Sequence, residues 1–158
     1  RAPAVHPVMR VIGVSGFSEG WGIYSEELAH EMGLYTSALD SVVVLVHLLD
    51  VAAGNYLDIA YHTRGWTREQ LVDSMVVLGG RPRAQAESYA DRHASLPGQL
   101  AQYYVGYRAI LGARAFAARA LGQRFQVREF HYEVLRDGSV TLASLRSKVE
   151  RWVAEQQK

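Results

Sequence analysis

The chain has 158 residues and a mass of 17.6 kDa, the size of one domain or one half of a larger one; 49% apolar and 21% charged residues exclude a wholly disordered or collagen-like chain, and surface scaling buries about 69% of it, enough for a real core. The lack of cysteine excludes a disulfide framework and a thiolate metal site, and no apolar run approaches about 18 residues, so no membrane span is expected. The net charge of +1 divides into −4 over residues 1–100 and +5 over residues 101–158, but Arg108, Arg114, Arg119 and Arg124 scatter around a helical wheel instead of forming a stripe, so a solvated helix is preferred to a nucleic-acid surface.

In chain order, Pro3, Pro7, Gly13 and Gly16 make residues 1–17 an irregular lead-in, with a short strand read over Val8–Val14. The sequence begins at Arg1 without the pattern of a signal peptide, so a processed chain or a piece of a longer one is expected. Ser18 is read as the N-cap of a first helix. From Glu19 to Met32 the apolar residues Trp21, Tyr24, Leu28 and Met32 recur at helical spacing, and Gly33 stops the helix. A second helix spans Leu39 to His62. Its longest apolar stretch, Val42 to Ala53, is interrupted by His47 and Asp50. Thr67 caps a third helix to Leu78, and Gly79-Gly80 and Pro82 break the chain. Arg83 to Leu96 is a fourth helix. Pro97 is placed in the first turn of a fifth, where its missing N–H costs nothing; this helix runs to Leu121. Val127–Leu135 is short and helical, Asp137-Gly138 is a turn, and Thr141 caps a last helix to Glu155. Neither an internal repeat nor a low-complexity tract is present. The fold class expected is all-α: an irregular bundle of six or seven helices with one core over residues 18–158.

Three helix faces carry titratable groups. On the first helix Glu19, Ile23, Glu26 and His30 share a side. That pattern reads as a solvated face or as a source of a metal ligand; no HExxH is present to decide for the metal. On the second helix His47, Val51, Gly54, Asn55, Asp58 and His62 fall in one sector. Asp58 and His62 are i,i+4, so the carboxylate can orient the imidazole and raise its basicity. Such a histidine can donate to a developing oxyanion; a buried structural pair is an equal reading. The fifth helix brings Tyr103, Tyr104 and Tyr107 after Pro97-Gly98-Gln99. These are core-edge packing or, at one hydroxyl, a donor into a cleft.

Four ordered stretches carry a resemblance. They are Ser18-Glu19-Gly20-Trp21-Gly22-Ile23-Tyr24 with Glu26-Glu27-Leu28 and Glu31-Met32-Gly33; Asp58 to His62 followed by Gly65-Trp66-Thr67; Arg92 with Pro97-Gly98-Gln99, Tyr103 and Gly106; and Phe130-His131, Leu135, Gly138 and Leu142. Together they resemble the bacterial domain-of-unknown-function family 885, whose members look like helical zinc peptidases of the gluzincin type. The EGW-x-x-Y element is the most specific of them. The resemblance implies a His₂Glu zinc site, with two histidines and a general-base glutamate on an HExxPGH-like helix upstream of the EGW helix. Glu19 matches the third ligand, and the upstream helix has no counterpart after Arg1.

The chain then reads as the C-terminal portion of a larger metallopeptidase-like fold. Zinc belongs to the intact protein, and this chain alone is expected to be inactive and to hold none tightly. The candidates carried over are Glu19 for metal; His62, Asp58 and Tyr103 for catalysis; and Arg92 and Tyr24 for substrate. The partners expected are the missing N-terminal portion or a second copy of the chain, and a peptide substrate; nucleic acid is not expected. Two departures bear on specificity. Val51, Ala52, Gly54 and Asn55 stand where the family usually has arginines, and Tyr104 replaces the lysine after the PGQ tyrosine. The alternative, from another class, is a non-catalytic helical binding or scaffold module that keeps the family core.

Overall fold

A computed structural model describes residue 7 and residues 11–158. The described residues form seven α-helices and no strand: α1 (Ser15–Glu31), α2 (Ala38–Thr63), α3 (Arg68–Gly79), α4 (Arg83–Ser95), α5 (Ala101–Leu121), α6 (Val127–Leu135) and α7 (Leu142–Gln156), with a 3₁₀ turn at Gly122–Arg124. The all-α irregular bundle expected from the sequence is therefore the fold class. Of the strand read over Val8–Val14, residues 11–14 are not extended into a sheet, and residues 8–10 lie outside the described residues.

The helix ends show which local signals decided. Thr67 and Gln70 form a reciprocal capping box on α3, and Thr141 caps α7 through the Ser144 amide, as their types predict. α2 has a capping box that the sequence reading missed, between Ser37 and Asp40. Two expectations are corrected. α1 begins a turn before Ser18, because the carbonyl of Val14 accepts from Phe17 and Ser18. The backbone of Val14 is held in turn by the Ser139 hydroxyl, 3.0 Å from its N–H. Pro97 is not in the first turn of α5: residues 97–100 form a separate turn with Gly98 at φ +78°, and the helix starts at Ala101. A φ of that sign is accessible to glycine without steric cost.

The chain divides into two compact units, residues 1–24 with 106–158, and residues 25–105. In the first, α6 packs on α7, and Phe17, Ile23, Ile110, Phe130, Val134, Leu145 and Val149 are buried. Phe130 meets Trp152 and Phe125 at ring-centroid distances of 6.4 and 6.1 Å, within the range of favourable aromatic packing. α1 and α5 meet in this unit at backbone contact through Gly16, Gly20 and Gly106.

In the second unit α3 packs on α2 and on α4. Leu57, Leu71, Val72, Met75, Ala86 and Ala90 form its buried cluster, with Trp66 and Tyr89 against it. Burying a leucine-sized side chain contributes about 1.5–3 kcal/mol, so this cluster holds the three helices. The first half of α2 is different. Leu39, Val42, Val43, Leu45, Val46 and Leu49 are all exposed. An 18-residue window of α2 has mean hydropathy 1.6 and is 11% buried. By length and composition alone this helix is long and apolar enough to cross a bilayer, which does not by itself make it a span.

Candidate functional site

Asp58 is the centre of the polar structure in the second unit. It is 1% exposed. Its Oδ1 accepts from the backbone N–H of Gly98 at 3.1 Å, and its Oδ2 accepts from those of Leu100 and Ala101 at 3.1 and 3.2 Å. The carboxylate thus satisfies orphan amides at the start of α5, the task an N-cap side chain usually performs locally. Here the acceptor comes from a helix some forty residues earlier.

His62 sits one turn along, as the i,i+4 spacing requires, with Nε2 3.4 Å from Asp58 Oδ1. The same nitrogen lies 3.0 Å from the carbonyl oxygen of His93. A carbonyl only accepts, so Nε2 carries the proton and donates to it. The His62 ring therefore ties α2 to α4 through the nitrogen nearer the carboxylate. Its side chain is 26% exposed.

A cavity of about 170 Å³ opens among α2, α3, α4 and the start of α5, with Arg81, Arg92, His93 and Tyr103 in its wall. Arg81 pairs with Asp50, and its guanidinium lies over the Tyr89 ring, 3.7 Å from the centroid. Arg92 Nη2 donates to Gln99 Oε1 at 2.9 Å, and Gln99 Nε2 donates to the Tyr103 hydroxyl at 3.3 Å. His93 is 1% exposed and its Nδ1 has no hydrogen-bond partner. Burial pushes the His93 ring below the ordinary histidine value of 6.5; nearby Asp58 opposes this, and His62, Arg92 and Arg81 add to it. At neutral pH the ring is uncharged.

The sequence-derived candidates are thus distributed as follows. Asp58, His62, Tyr103 and Arg92 belong to the second unit, and the structure brings Arg92 and Tyr103 to one cavity wall. Of the polar face read on α2, His47, Val51 and Gly54 also line that cavity. Tyr24 and Glu19 belong to the first unit. Tyr24 is wholly buried, with its hydroxyl 2.7 Å from His131 Nε2 and the Arg114 guanidinium 5.7 Å from its ring centroid. It offers no surface to a substrate in this arrangement. Glu19 is half-buried on α1 and has no hydrogen-bond or ion-pair partner among the described residues. Glu26 pairs with His47 at 2.8 Å, and His30 stacks on Tyr35. Arg81 and His93 were not singled out from the sequence, and Gln99 only as part of the Pro97-Gly98-Gln99 stretch. The adjacency of His93 to Arg92 was the one signal for it.

A catalytic zinc takes three protein ligands and an open position. Among the described residues no group of three His, Cys, Asp or Glu side chains is placed to hold a metal ion. Glu19 alone does not make such a site, so these residues do not fit a catalytic zinc by themselves.

The chain is thus an all-α protein with a buried carboxylate anchoring a Pro-Gly-Gln turn and a Glu-Gly-Trp helix in backbone contact at its glycine. The family described as "Bacterial protein of unknown function (DUF885)" matches residues 1–149, and the chain belongs to that family. Two solved structures are similar. The putative lipoprotein from Colwellia psychrerythraea is 32% identical with a TM-score of 0.90, covering 94% of this chain and 26% of that one. The putative lipoprotein of unknown function from Shewanella oneidensis is 28% identical with a TM-score of 0.82, covering 92% and 27%. The chain therefore spans about a quarter of the length of each. Among curated proteins none matches.

Proposed function

We propose that this chain is the helical part of a zinc-dependent, peptidase-like hydrolase. In that reading it contributes Glu19 as one zinc ligand, and its second unit contributes a substrate cavity. The observation that carries the reading is Glu19 itself: a half-buried carboxylate without a cationic partner among the described residues, on a helix fixed by its neighbour Gly20. A carboxylate placed this way is open to a cation supplied from elsewhere. The remaining ligands would come from polypeptide beyond this chain. Arg92 and Tyr103 face the substrate, Asp58 holds the 97–100 turn that precedes the helix of Tyr103, and His62 ties α2 to α4. Tyr24 holds α1 through His131.

The test is Glu19→Gln in the intact protein. The expected result is about one zinc per molecule in the parent, loss of zinc and of peptide hydrolysis in the variant, and an unchanged helical spectrum. A variant that keeps both metal and turnover removes Glu19 from the site. Parent protein that takes up no zinc and cleaves no peptide instead supports the scaffold reading.

The exposed apolar half of α2 belongs to the same proposal. An exposed apolar patch of this kind marks an interface. The occupant we assign is the further polypeptide of the intact protein, because the two similar structures are about four times longer than the part matched here. The 158-residue chain alone is expected to self-associate, and Leu45→Asp with Val46→Asp to restore a monomer. In the intact protein the α2 amides should be strongly protected from hydrogen exchange. A chain that stays monomeric at high concentration, with α2 freely exchanging in the intact protein, overturns this assignment.

A further inference from the structure

We propose that the cavity among α2, α3, α4 and the start of α5 is a recognition site for a carboxylate carried beside a small apolar group, the terminal residue of a peptide. Its polar wall is built from donors. Gln99 Oε1 accepts from Arg92, which fixes the amide so that Nε2 points at Tyr103. The Tyr103 oxygen accepts that bond, so its own proton is left to donate elsewhere. Arg81 has its charge matched by Asp50. Arg92 has a neutral hydrogen-bond partner and no acidic one among the described residues. His93 adds a buried Nδ1 with no hydrogen-bond partner; Asp58 Oδ1, at 3.9 Å, is too far to supply one. A buried polar atom of this kind is costly to leave unsatisfied.

The lining also has an apolar wall of side chains, among them Val51, Leu57, Met75 and Leu100. The volume of about 170 Å³ compares with about 150 Å³ for an apolar cavity that admits benzene, so one leucine- or phenylalanine-sized group fills it. A bare inorganic anion would leave that wall against water. A carboxylate has two oxygens and about four acceptor positions for the Arg92 and Tyr103 donors. Asp58 acts as a positioning residue, because it holds the amides on either side of Gln99.

Naming a peptide end rests on the hydrolase reading; recognition of the carboxylate does not. Calorimetric titration of the full chain at neutral pH with N-acetyl-L-leucine, N-acetyl-L-leucinamide and free L-leucine separates the cases. The acid is expected to bind at least about ten-fold more tightly than the amide. Arg92→Gln should weaken the acid by about 10–100-fold and leave the amide unchanged, since a charge-assisted hydrogen bond is lost. Tyr103→Phe should weaken the acid several-fold. Equal binding of acid and amide, or no binding of either below about 20 mM, overturns the proposal. Free leucine binding more tightly than the acetylated acid overturns the peptide-end assignment. If Arg92→Gln does not fold, Tyr103→Phe decides, and unchanged acid affinity there overturns the site. Binding is read without turnover, so failure here leaves the zinc result at Glu19 standing, and failure there leaves this one.

Discussion

Gly106→Ala is expected to destabilise the chain by roughly 3 kcal/mol or more, at or beyond the upper range of overpacking. A methyl at Gly106 would stand 1.8 Å from the carbonyl oxygen of Gly16 and 2.9 Å from the Cα of Gly20. Those atoms are helix backbone and cannot rotate away, so α1 and α5 must separate. Gly20→Ala should act alike, because its methyl would lie 2.3 Å from the carbonyl carbon of Gly106. The control is two residues from Gly20, on the other side of the helix. Gly22 is also in α1, and a methyl there meets nothing within 4 Å. Gly22→Ala should therefore stabilise by about 0.5–1 kcal/mol through helix propensity. Thermal midpoints separate the three variants: a drop of roughly 6–12 °C for Gly106→Ala against a small rise for Gly22→Ala. If Gly106→Ala melts within a degree or two of the parent, the two helices do not cross at backbone contact.

This crossing also marks where the sequence stopped being readable. Periodicity and caps place helices well when the deciding bonds are local, as at Thr67 and Thr141. Gly20 reads only as part of a family motif, because its reason for being glycine is Gly106, more than eighty residues later. The start of α5 was misplaced for a similar cause. Pro97 carries a first-turn signal, but the amides of Gly98, Leu100 and Ala101 turn toward a carboxylate on α2. Ser18 looked like a cap until Ser139 held the chain one turn earlier. In the candidate site the legible part was what one helix determines: Asp58 and His62 on a shared face, with His47, Val51 and Gly54 along it. Of the cavity wall only Arg92 and Tyr103 were named, through the family resemblance; Arg81 and His93 reach it from a loop and from another helix. Their own helical patterns say nothing of what they face.

The largest effect in the second unit is expected from Asp58→Ala. It removes one carboxylate and leaves three backbone donors without their acceptor. Each unsatisfied buried donor costs about 1–3 kcal/mol, and partial access of water to the turn keeps the sum to roughly 3–5 kcal/mol. Asp58→Asn should lose less, because one carbonyl oxygen still accepts while the amide NH₂ opposes a backbone N–H. Hydrogen exchange localises the effect: the Gly98, Leu100 and Ala101 amides should lose protection in either variant before the α3 amides do. His62→Ala provides the comparison. It removes one hydrogen bond to the His93 carbonyl, worth about 1 kcal/mol, and should leave the turn amides protected. The two residues therefore separate structure from chemistry in the intact protein. If the His62 ring stabilises a developing oxyanion, kcat falls about 10²–10³-fold in a protein that still folds. If the ring only joins α2 to α4, turnover per folded molecule is unchanged and only the thermal midpoint moves.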